Sequence, residues 1–113
     1  MENLTNYYMA STRPGQISLK YIILPGINDT YEDFKSLIEI MDVLHVSHLT
    51  ISRDVTKKYS SHDKEFEILI ETAGYLLALC FKNDITNDMF TFSPEEQEMI
   101  IEIARKILAN GQV

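Results

Sequence analysis

The sequence predicts an α/β fold with two to three parallel strands and three helices, in the order βαβα(β)α. Three observations carry that prediction. Two short apolar runs, residues 17–24 and 48–52, are each followed by a stretch whose apolar residues recur at helical spacing. The order strand, helix, strand over some 35 residues is that of a crossover, and a crossover implies parallel strands. The chain is 113 residues long, the length of one domain.

The elements follow in order. Pro14-Gly15 breaks the chain ahead of the first strand. Residues 17–24 begin with alternation and close on four consecutive apolar residues, the pattern of a strand buried on both faces. Pro25-Gly26 stops it, because proline lacks the ladder amide and glycine takes the angles of a tight turn. Asp29 or Thr30 then caps a helix that runs to about Leu44 and puts Phe34, Leu37, Ile38, Met41 and Leu44 on one face. Residues 48–52 form the second strand, and residues 53–61 form a polar loop at its carboxyl end.

Ser60 or Ser61 is the expected cap of a long helix over about residues 62–81. Its apolar positions spread so far around the cylinder that it must be buried on more than one side or have a partner. Residues 89–92 read as a short extended segment, the optional third strand. Ser93-Pro94-Glu95-Glu96 then has the cap, the first-turn proline and the third-position glutamate of a helix start. That helix ends at Asn110-Gly111.

Composition excludes several function classes. A single cysteine, Cys80, forms no internal disulfide and cannot by itself hold a zinc or iron–sulfur centre. Seventeen acidic against ten basic residues give a net charge of −7, which argues against nonspecific nucleic-acid binding. No apolar run is long enough for a membrane span, and the first eight residues hold no signal-peptide core. A cytoplasmic location is the expectation.

Candidate chemistry is sparse. His45 and His48 lack further ligands at metal-binding spacing, and the dipole at a helix end explains His45. Cys80 falls on the apolar face of the long helix, where it acts as a small hydrophobe. The Asn3-Leu4-Thr5 and Asn28-Asp29-Thr30 acceptor patterns carry no weight without a secretion signal. Pro25-Gly26-Ile27-Asn28-Asp29 runs from strand into helix, where free amides attract anions, but it has one glycine and reads better as a capped turn. Ser52-Arg53-Asp54 lies at the carboxyl end of the second strand, the edge at which parallel sheets bind ligands. There Arg53 either clamps a carboxylate or forms a surface pair with Asp54.

Lys20-Tyr21-Ile22-Ile23-Leu24-Pro25-Gly26-Ile27-Asn28-Asp29, a helix, and then His48-Leu49-Thr50-Ile51-Ser52-Arg53-Asp54 resemble the last two β/α units of a radical S-adenosylmethionine enzyme. Glu2-Asn3-Leu4-Thr5-Asn6-Tyr7 resembles the tail of the helix that precedes them. The resemblance covers about the first half of the chain and implies a fragment of a partial (β/α) barrel with a helical C-terminal extension. It implies that Leu24 and Pro25 line the adenine side of the cofactor pocket and that Ser52, Arg53 and Asp54 face nucleoside or substrate.

Members of that family hold a 4Fe-4S cluster on a Cys-x-x-x-Cys-x-x-Cys loop and cleave S-adenosylmethionine reductively to a 5′-deoxyadenosyl radical. This sequence lacks the loop, so no cofactor is held by this chain alone, and no residue is assigned a catalytic role. Such a fragment leaves a sheet edge and a barrel-facing surface uncovered, from which a homo-oligomer is expected. Alternatives from other classes are an α/β protein–protein interaction module and a small-ligand binder using the Arg53 edge.

Overall fold

Alternation along residues 18–23 decides how the sheet is layered. Leu19, Tyr21 and Ile23 are buried, whereas Ser18, Lys20 and Ile22 between them are only partly so. The strand is therefore packed on one face, not on both as its apolar ending suggested. The computed structural model describes residues 7–13, 16–56, 58–59 and 63–111, with side chains from Ser18 onward. Pro14-Gly15, the Ser60 and Ser61 caps, the Asn3 pattern and residues 2–6 of the helix-tail resemblance lie outside the described residues.

The elements are β1 (Tyr7–Arg13), β2 (Gln16–Ile23), α1 (Tyr31–Val43), β3 (His48–Arg53), α2 (Lys64–Lys82), β4 (Thr86–Asp88) and α3 (Pro94–Ala109). The sheet order is β1-β2-β3-β4. β2, β3 and β4 are parallel, with Lys20 opposite Thr50 and Thr50 opposite Asp88. This is the α/β order that the sequence implied. Two differences stand out. β1 is an additional strand, antiparallel to β2, and Tyr7 opens it rather than ending a helix. β4 lies at residues 86–88, three positions before the expected segment, while residues 90–91 form a turn.

Helix boundaries follow local chemistry. Thr30 caps α1 in a reciprocal box, its Oγ1 accepting from the Asp33 amide while the Asp33 carboxylate accepts from the Thr30 amide. Ser93 and Glu96 form the same box at α3. Asp63 occupies the N-cap position of α2. After α1 the chain turns through His45 at φ 56°, with the Val46 amide donating to the Met41 carbonyl at 2.9 Å. His45 thus takes the left-handed position that usually holds glycine, a more specific role than complementing the helix dipole.

One contiguous core joins Leu19, Tyr21, Leu49 and Ile51 of the sheet to Phe34 and Leu37 of α1 and to Leu69 and Leu76 of α2. Phe34 packs edge-on against Tyr21 at 5.8 Å and stacks on Tyr75 of α2 at 6.1 Å. The wide apolar surface of α2 is used within the chain, on the sheet on one side and on α3 on the other. Gly74 permits the α2–α3 approach, because a Cβ there would lie 2.4 Å from Ile103 Cγ2. The strand order never reverses along β2-β3-β4, so successive crossovers share a face. The opposite face carries Ser18, Lys20, Ile22, His48, Thr50 and Ser52, joined by Thr86 and Asp88.

Candidate site at the strand ends and open sheet face

The end of β2 is held by one buried side chain. Asn28 Oδ1 accepts from the Leu24 amide at 2.7 Å, and its Nδ2 donates to the Ile22 carbonyl at 2.8 Å. The buried Tyr21 hydroxyl donates to the Asn28 carbonyl. Gly26 takes φ 80° between them, so the Pro25-Gly26 turn is fixed from inside. Leu24 and Pro25 sit at the strand end and are partly buried. Asn28 is 1% exposed and its side chain is committed to this latch, which accounts for the turn without an anion.

Ser52, Arg53 and Asp54 diverge. Ser52 belongs to the open face and is buried beneath the loop after β4, its Oγ 3.0 Å from Thr91 Oγ1. Arg53 points to the helix-packed face, where its Nη1 donates to both Glu96 oxygens at 3.1 and 3.3 Å. Its guanidinium also lies over the rings of Tyr59 and Phe92. Glu96 thus both closes the α3 box and pairs Arg53, tying the end of β3 to α3. Asp54 accepts from the Thr56 amide at 3.0 Å and hydroxyl at 2.6 Å, an Asx turn that shapes the loop. Arg53, Val55, Lys58, Tyr59 and Thr91 line a shallow cavity of about 340 Å³ at this edge.

On the open face, polar residues of β3 and β4 bond in register. His48 Nε2 donates to Asp88 Oδ2 at 2.7 Å, and Thr50 Oγ1 donates to the same oxygen at 2.9 Å. His48 Nδ1 lies 2.7 Å from Thr86 Oγ1. Asp88 Oδ1 is buried and has no hydrogen-bond partner among the described residues. Lys20 stands in the same row as Thr50 and Asp88. Asp88 lies just before the segment that the sequence marks as extended, and Thr91, inside it, meets Ser52 through a turn rather than a strand. The His48–Asp88 pair becomes visible only when the β3–β4 register is known.

Cys80 is fully buried in α2, and burial pushes its thiol up to about 12, far from the thiolate that a cluster ligand needs. The residues present therefore do not fit an iron–sulfur cluster. Burial and the neighbouring Tyr31 both raise the Tyr75 phenol above its ordinary value. No group of three or more His, Cys, Asp or Glu side chains is placed to hold a metal ion among the described residues. No helix among the described residues is long and apolar enough to cross a membrane. No family model, curated protein or solved structure matches the chain.

Proposed function

We propose that this chain is the closing sector of a radical S-adenosylmethionine-type (β/α) barrel, with the open polar face of β2-β3-β4 as part of its inner wall. The observation that supports this reading most is the strand order. Three parallel strands advance in one direction with their helices on one face, as in a barrel wall, whereas a doubly wound sheet reverses direction and covers both faces. A polar inner row of Lys20, Thr50 and Asp88 suits a surface that meets substrate rather than a second apolar layer.

The reading places demands on the rest of the assembly. The cluster, and with it the reductive cleavage of S-adenosylmethionine, must come from polypeptide beyond these 113 residues, because Cys80 cannot supply it. β1 occupies the outer edge of β2 in the antiparallel sense, so a parallel neighbour there must displace it. When the chain stands alone, its open face and the short edge strand β4 favour a cytoplasmic homo-oligomer with no nucleic-acid or membrane partner. A monodisperse monomer in sedimentation at micromolar concentration contradicts that corollary.

The test is recovery of the native polypeptide. An in-frame tag on the native gene retrieves the protein at its natural length, and anaerobic purification preserves any cluster. The expected product is a chain or complex larger than 13.0 kDa that contains iron and sulfide and releases 5′-deoxyadenosine from S-adenosylmethionine under reduction. An iron-free product inert toward S-adenosylmethionine, whatever its length, overturns the reading.

A further inference from the structure

At the opposite end of the sheet, where the strands begin, a cleft of about 560 Å³ lies between the last turns of α1 and the turn that joins α2 to β4. Its floor is apolar: Ile38, partly exposed, with the buried core residues Met41, Val46 and Ile85 beneath the opening. Its rim carries three exposed carboxylates, Glu39, Asp42 and Asp84, and none of them has an ion-pair partner among the described residues. We propose that this cleft docks a basic segment of a partner protein, with one apolar side chain on the floor and Lys or Arg beside the rim.

Charge complementarity selects that occupant. α1 and α2 both end at the cleft, and helix C-termini carry partial negative charge that cationic side chains normally offset. The last turn of α1 has no basic residue, and it places Asp42 where the dipole disfavours a carboxylate. Asp84 follows the C-cap of α2. Among the described residues, the basic groups at these ends are Lys82 in the last turn of α2 and His45 in the lining. The negative potential of two helix ends and three carboxylates therefore converges above an apolar floor. That arrangement repels acidic segments and leaves neutral apolar ones without a charge partner.

Size and surroundings fit a peptide. The lining follows α1 from Ile38 to Asp42, roughly 6 Å or about two extended residues, and continues past the helix end through His45 to Ser47. Val43, 73% exposed, and Leu44 lie nearby in the chain at the end of α1, outside the lining. None of this depends on the strand-end site, which lies at the other edge of the sheet.

Amide NMR titration of the 113-residue chain tests the proposal with three synthetic peptides: Lys-Leu-Arg-Lys-Leu-Lys, its Leu-to-Ser analogue, and an analogue with every Lys and Arg replaced by Ser. The first should shift amides of residues 38–47 and 83–85, and the two analogues should bind at least about tenfold more weakly. The triple variant Glu39→Gln, Asp42→Asn, Asp84→Asn changes only exposed side chains and should weaken the first peptide to a similar degree. No binding by the first peptide, equal binding by either analogue, shifts centred elsewhere, or an unaffected triple variant each overturns the proposal.

Discussion

The two faces of one sheet obey opposite rules in this protein. Toward the helices, Leu19, Tyr21, Leu49 and Ile51 are buried in a continuous apolar core. Toward the other side, the residues one step along the same strands are Lys20, Thr50 and His48, of which Thr50 and His48 bond to Asp88 and His48 also to Thr86. Parallel sheets are normally covered on both faces. The difference teaches that one face of this sheet is packed into the apolar core while the other is tied together by side-chain hydrogen bonds.

Adjacent residues on opposite faces provide the largest contrast. Leu49→Ala should cost about 2–5 kcal/mol through lost burial and a residual cavity. Thr50→Ala should cost no more than about 1.5 kcal/mol, the worth of one partly buried hydroxyl bond to Asp88. Urea unfolding of the pair measures both, and equal losses break the comparison.

At the end of β2 the latch is the next test. Asn28→Ala leaves the Leu24 amide and the Ile22 carbonyl without their partner and should cost about 1–3 kcal/mol, whereas Asp29→Ala beside it should be nearly neutral. Within the helical layer, Gly74→Ala should destabilise by about 1–3 kcal/mol, because the new methyl meets Ile103 on α3. An unchanged melting midpoint shows that α3 packs farther from α2 than described.

Cys80 sharpens the same contrast through pH. In the unfolded chain the thiol ionises near its ordinary value of 9.0, whereas in the folded chain it holds its proton to about 12. The unfolded state therefore gains first as pH rises. This contribution to stability is complete below 9, and each unit above 9 removes about 1.4 kcal/mol until 12. Cys80→Ala should flatten that part of the stability profile. The smallest expected effect is at His45, where His45→Gly relieves the left-handed backbone and should stabilise by about 0.5 kcal/mol in thermal melts.

The parts of the fold legible in the sequence are those set by local chemistry. Thr30 with Asp33 and Ser93 with Glu96 mark helix starts that side chains and nearby amides decide among themselves. β2 and β3 were legible as apolar runs, but their coverage was not, since Ile22 and Ile23 look alike in sequence and point to opposite faces. β4 is three polar residues, Thr86-Asn87-Asp88, that no strand propensity selects. Its place is fixed by bonds to His48 and Thr50 and by the burial of Ile85 and Met89 around it. Met89-Phe90-Thr91-Phe92 has the aromatic and β-branched composition of a strand, yet Phe90 is 83% exposed in a turn. Ser52-Arg53-Asp54 lie at the carboxyl end of β3, as the sequence implies, but the engagement of Arg53 by Glu96 is a contact 43 residues away and leaves no local trace.

Whether the polar face is an interior surface is decided most directly by a cysteine reporter. Cys80 is buried, so Lys20→Cys adds one reactive thiol of this chain on the open face, and modification is read at residue 20 itself by peptide mapping. Its labelling by a bulky maleimide is compared between the isolated 113-residue chain at high dilution and the protein recovered from the native gene. The account predicts rapid labelling of the isolated chain and strong protection in the native protein, where the barrel closes over the face. Equal, rapid labelling of both contradicts it.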